Sequence, residues 1–103
     1  MKCLKASLRK NVLKLVFSGV LEARYLSETQ AEILKRIKKS PSKVVVELAR
    51  YEKIDFSFIQ LLLALEKNFK TLGLKADFKL DFSEQDADLL SRLNIINLLH
   101  TKS

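Results

Sequence analysis

Lys43–Gly73, KVVVELARYEKIDFSFIQLLLALEKNFKTLG, decides the reading of the chain. It reads as a buried strand, a short connection and a long amphipathic helix that stops at a glycine. Lys43–Leu48 is nearly continuous β-branched apolar sequence, the pattern of a central strand covered on its faces. Ile54–Phe58 then brings Asp55 and Ser57 to the exit of that strand, where the helix begins. Their side-chain oxygens suit a helix N-terminus because they accept from its free backbone N–H groups. The same N–H groups and the helix dipole favour negative charge, so the corner also has the makings of an anion site. Phe58, Leu61, Leu62, Leu65, Phe69 and Leu72 follow helical spacing on one apolar face. Ile59 and Leu63 lie off that face and widen the stripe beyond what packing on one sheet requires. Gly73 is placed to close the helix as a C-cap.

Working towards the N-terminus, Ser40-Pro41-Ser42 separates this stretch from an earlier helix. That helix has start signals at Ser27: Gln30 completes a capping box, and Leu26 with Ala31 forms a hydrophobic staple. Gln30, Ile33, Leu34 and Ile37 supply its spaced face, with acids early and lysines late, as the dipole prefers. Earlier still, Lys2–Arg9 alternates Leu4, Ala6 and Leu8 with Lys5, Ser7 and Arg9, the period of a half-buried strand. Lys10-Asn11 makes a tight turn into a second strand, Val12–Phe17, so the chain opens with an antiparallel hairpin. Ser18-Gly19 ends that strand, and a loop through Glu22 and Tyr25 follows.

Towards the C-terminus, Lys75–Leu80 alternates Ala76, Phe78 and Leu80 against Lys75, Asp77 and Lys79. The helix between this strand and the central one predicts a parallel pair joined by a right-handed crossover. Ser83 caps a last helix, with Phe82 and Ala87 as its staple and Leu89, Leu90 and Leu93 as its apolar side. Asn94 suits a left-handed C-cap, and Ile95–Leu99 is an apolar tail that packs back or meets a partner.

With 103 residues, 48% hydrophobic content, two glycines and one proline, the chain is expected to be a single compact domain over residues 1–103. The lone Cys3 rules out an intramolecular disulfide and suits a reducing compartment. The opening MKCLKASLRK has no apolar run, so no signal peptide is expected. Phe58–Leu65 is too short to span a bilayer, and a cytoplasmic location is the expectation. The net charge of +7 is concentrated in Lys35, Arg36, Lys38, Lys39 and Lys43, with Arg9, Lys10 and Lys14 earlier in the chain. A solvated face is the simplest reading of that cluster. No aromatic residue is interleaved with it, so specific nucleic-acid binding by base stacking is not expected.

Chemistry is sparse. His100 has no ligand cluster or HExxH spacing around it, so no metal is expected. No glycine-rich phosphate loop is present, and Cys3 reads as a small hydrophobe. No nucleophile–base constellation is visible, and the expectation is a non-enzyme without a cofactor.

Element order and corner residues together resemble the STAS domain, the fold of bacterial anti-sigma factor antagonists, from about Leu4 to Leu99. Gly19-Val20-Leu21-Glu22-Ala23 is similar to the family's G-E-L-D-A, with glutamate for aspartate. Val44–Leu48 followed by Ile54-Asp55-Phe56-Ser57-Phe58 looks like V-V-L-D-L … I-D-S-S-G. Leu89–Leu98 looks like L-L-R-L-x-G-L, with Asn94 at the glycine. The resemblance implies an α/β fold: a mixed four-stranded sheet with an N-terminal hairpin and three main helices. It also implies function by binding a partner. In antagonist members the second serine of D-S-S-G is phosphorylated by a kinase that is also the anti-sigma factor, and Ser57 aligns with it. Phe56 replaces the first serine and Phe58 the glycine.

Asp55 and Ser57 are equally readable as plain caps or as a regulated switch, and Glu22 as a solvated loop acid or as the acidic partner of the preceding loop. The partner-binding residues expected on the antagonist reading are Glu22, Asp55, Ser57, Phe58, Ile59 and Leu63, with Ser57 the phosphorylation site. The partner would be an anti-sigma factor or serine kinase-like protein. The alternative within the resemblance is an accessory subunit bracing the ATPase of a phospholipid-transport ABC system. There the basic cluster Lys35–Lys43 would face anionic headgroups, giving peripheral membrane association without a transmembrane segment.

Overall fold

The computed structural model describes residues 3–92; Leu93, Asn94, the tail Ile95–Leu99 and His100 lie outside them. The element order is β1 (Leu4–Arg9), β2 (Val12–Leu21), a 3-10 turn (Ala23–Tyr25), α1 (Leu26–Ile37), β3 (Lys43–Ile54), α2 (Phe56–Thr71), β4 (Lys75–Leu80) and α3 (Glu84–Arg92). The four strands form one sheet in the order β1-β2-β3-β4, antiparallel at the β1/β2 hairpin and parallel elsewhere. The expected α/β fold is therefore the one observed. Lys10 and Asn11 both adopt positive φ, the geometry of a tight hairpin turn whose twist matches its strands.

Strand register stacks the apolar positions into rows across the sheet. Leu4, Phe17, Leu48 and Leu80 are successive neighbours, as are Ala6, Leu15, Val46 and Phe78. All of these point to the helical side, where Leu13, Leu15, Phe17, Val44 and Val46 are fully buried. The expectation of a central strand covered on both faces is corrected. Val45 and Glu47 are only half-buried, because neither α1 nor α2 covers the opposite face. The cause is topological. Strand order advances in one direction from β2 to β4, so two successive right-handed crossovers place α1 and α2 on the same side.

Two further expectations change. Strand β2 does not stop at Ser18-Gly19. It continues to Leu21 alongside a β3 that runs on to Ile54, with Gly19 opposite Tyr51 and Leu21 opposite Ile54. Register shifts around Gly19 leave extra residues on β3, and Gly19 takes φ +76° there. Beyond Leu48 the pair β2/β3 projects past both edge strands as a bulged ribbon.

Helix α1 begins at Leu26 rather than at a Ser27 cap, running directly out of the 3-10 turn with no side-chain cap. The turn already has the chain coiled, so Ser27 falls inside the helix and its capping box has no function. Thr29 and Ile33 are the buried residues of α1, with Leu26 and Ile37 packed against the core. The buried line is thus rotated from the expected one, leaving Gln30 exposed and Leu34 63% exposed.

Helix α2 follows the sequence more closely. Asp55 caps it, and Gly73 ends it at φ +71° with Gly73 N–H donating to Lys70 O (3.0 Å) and Leu74 N–H to Phe69 O (2.9 Å). That pair of bonds is the Schellman arrangement. Phe58, Leu61, Leu62, Leu65 and Phe69 are buried as expected, whereas Leu72 is 60% exposed. The ring of Phe58 meets Phe17 edge-on at 6.3 Å, and Phe69 lies 6.3 Å from Phe78.

Candidate functional site

The β2/β3 ribbon delivers two connections to one corner: Glu22-Ala23 leaving β2 and Asp55 leaving β3. Asp55 N–H donates to Leu21 O (3.0 Å), which holds the two exits together. The Asp55 carboxylate then accepts from Phe58 N–H through Oδ1 (3.2 Å) and from Ala23 N–H through Oδ2 (2.8 Å). One side chain thus caps α2 and ties the start of the 3-10 turn to it. Glu22, which the resemblance to STAS domains places with Asp55, is at this corner. Its carboxylate receives Arg24 Nε (3.1 Å) and Lys53 Nζ (3.2 Å), so its charge is offset by two cations. Arg24 also lies over the ring of Tyr25 at 4.8 Å.

Ser57 is in the first turn of α2 but is not its cap; that part belongs to Asp55. It is half-buried, and its hydroxyl has no hydrogen bond to another described residue. The expectation that Phe58 and Ile59 touch a partner is corrected. They are 1% and 2% exposed, so their side chains belong to the core and support the corner from beneath. Leu63 is half-buried and packed against that core. The corner's exposed apolar group is instead Phe56, which is 48% exposed beside Ser57. The local signal for it is present in the sequence. A residue just after an N-cap aspartate starts the helix, and Phe56 falls two residues before the buried Phe58, hence off its face.

A second cluster is one that the sequence reading does not find. Tyr51, on the projecting ribbon, accepts from Ser83 N–H (2.8 Å) and donates to the Asp86 carboxylate. Ser83 Oγ in turn caps α3 by accepting from Asp86 N–H (3.3 Å). Burial, together with the bond to Asp86, pushes the Tyr51 phenol above its ordinary value. The folded state thus holds this proton more tightly than the unfolded chain. That stabilisation is intact below pH ~10 and is lost as pH rises further through the folded value. Tyr51→Phe is expected to cost about 1 kcal/mol at neutral pH and to flatten the alkaline loss, read by urea unfolding across pH.

The basic residues gather at the opposite end of the sheet. Ser42 N–H donates to Asn11 O (2.8 Å), which docks the α1–β3 loop on the hairpin turn beside Lys10. Lys43 neighbours Val12 on one side and Lys75 on the other. Lys43 pairs with Asp77 (2.8 Å) and holds its carboxyl below the usual range, and Arg36 does the same for Glu32 (2.7 Å). The lysine-rich turns thus lie at the end of the sheet away from the corner, where Glu22 is itself paired with Arg24 and Lys53. No helix among the described residues is long and apolar enough to cross a membrane.

No family model matches the chain, and no curated protein matches it in sequence.

Proposed function

We propose that the chain is a non-catalytic, cytoplasmic protein-interaction module resembling STAS domains of the anti-sigma factor antagonist type. It docks a kinase-like or regulatory partner on the Glu22–Asp55 corner and is switched by phosphorylation of Ser57. The observation that carries this reading is the hydroxyl of Ser57. Asp55 already caps the helix, so Ser57 is left half-exposed without a hydrogen bond to a described residue, next to the exposed ring of Phe56. An apolar ring for docking and a modifiable hydroxyl then share one surface. A phosphoryl group there adds about −1.5 to −2 charges. The helix N-terminus tolerates it within the folded chain, but a partner seated on Phe56 must desolvate it against Asp55, and is released.

The test is recovery of tagged wild-type, Ser57→Ala and Ser57→Asp chains from the native cell, with partners and Ser57 phosphate identified by mass spectrometry. A kinase-like partner should accompany wild type and Ser57→Ala, and fall about tenfold with Ser57→Asp. Equal recovery of a transporter ATPase by all three, with Ser57 unmodified, would replace the switch by a brace.

A further inference from the structure

The two most exposed large apolar side chains among the described residues are Leu34 (63%) and Leu72 (60%). They come from different helices yet line one groove between the C-terminal halves of α1 and α2, together with Ile37, with a volume of about 290 Å³. The same end of α1 carries Lys35, Lys38 and Lys39, none of them in an ion pair with a described residue. Lysines at a helix C-terminus are ordinary partners of the dipole. Two leucines held in water beside them are not explained that way.

The composition of this end selects among anionic partners. Nucleic acid would use the lysines and leave the leucines exposed, and no aromatic side chain is interleaved with the lysines for bases to stack on. A protein interface typically selects arginine and aromatic residues and depletes lysine. A lipid interface uses the combination present. Leucines enter the headgroup boundary, and lysines extend their stems along it to reach phosphates. We propose that this end of the molecule binds the surface of an anionic bilayer, with Leu34 and Leu72 entering the interface and Lys35, Lys38 and Lys39 facing lipid phosphates. The surface lies at the far end of the sheet from the Asp55 corner, and the proposal does not depend on what docks there.

The test is co-sedimentation of the full chain with phosphatidylglycerol-containing vesicles and with pure phosphatidylcholine vesicles, at low and high salt. Binding is expected only to the anionic vesicles and is expected to weaken with salt. Lys38→Gln and Lys39→Gln should each lower partitioning about fivefold. Leu34→Ser with Leu72→Ser should lower it about tenfold while the circular dichroism spectrum is unchanged, since both positions are exposed. No binding to anionic vesicles overturns the proposal. So does vesicle binding that ignores the leucine changes, or binding to duplex DNA in place of vesicles. A dimer in solution that the leucine changes dissociate would assign the groove to a second copy of the chain and overturn it equally.

Discussion

Phe58→Ala is expected to remove about 3–5 kcal/mol of folding stability, the largest loss from any single change at the corner. The ring is 1% exposed and packs edge-on against Phe17, whose own row continues to Leu48 and Leu80 across the sheet. Truncation therefore opens a void where α2 meets the centre of the sheet, and the dense surroundings close it only partly. A domain of this size has about 5–15 kcal/mol in total, so roughly a fifth or more of its stability rests on this ring. Equilibrium urea unfolding reads the effect as a lower midpoint at unchanged slope. A loss below about 1 kcal/mol would place the ring outside the core. Because the side chain offers no surface to a partner, the affinity of the folded fraction should be unaltered.

That burial also marks where the sequence was legible. Four local signals are realised, since the Lys10-Asn11 turn, the Asp55 cap, the Gly73 stop and the Ser83 cap all act on backbone within a few residues, whereas the Ser27 capping box is pre-empted by the 3-10 turn before it. Alternation and helical spacing identify the strands and the deep face of α2 for the same reason. What fails depends on neighbours that periodicity does not name. Nothing in Ser18-Gly19 says that β3 is long enough to keep pairing, yet that pairing turns a strand end into a bulge and builds the ribbon that carries the corner.

Leu34 and Ile33 are adjacent apolar residues on one helix. Which of them is buried is set by the angle at which the 3-10 turn launches α1 over the sheet. Ile59 reads as surplus on one apolar face, yet it is buried in the core on the flank of α2 turned away from α1, whose groove is lined by Leu61, Ala64, Leu65 and Asn68. At the site itself, the sequence locates Asp55 and Ser57 at one corner, and Glu22 joins them there only through the resemblance to STAS domains. The sequence does not distinguish which of Asp55 and Ser57 is the cap, because both residue types suit the position. The bond from Ala23 makes the difference, since only a residue at position 55 reaches the exit of β2 as well as the first turn of α2.

That distinction yields the second large effect. Asp55→Ala is expected to cost about 2–3 kcal/mol, because it strips the acceptor from two backbone N–H groups at once, those of Phe58 and Ala23. Asp55→Asn should cost about 1 kcal/mol. An amide oxygen caps a helix as well as a carboxylate does, but it presents one acceptor atom where Asp55 uses two. Ser57→Ala should stay within about 0.5 kcal/mol, since no hydrogen bond to a described residue is lost. Urea unfolding should therefore rank Asp55→Ala as the most costly change, Asp55→Asn next and Ser57→Ala last, which measures the division of labour directly. If Ser57→Ala proved as costly as Asp55→Ala, the serine would be structural, and the hydroxyl that the switch requires would not be free for a kinase. With the expected order, a change at Ser57 alters the surface a partner meets while leaving the scaffold beneath it standing, which is what a reversible switch on a folded domain needs.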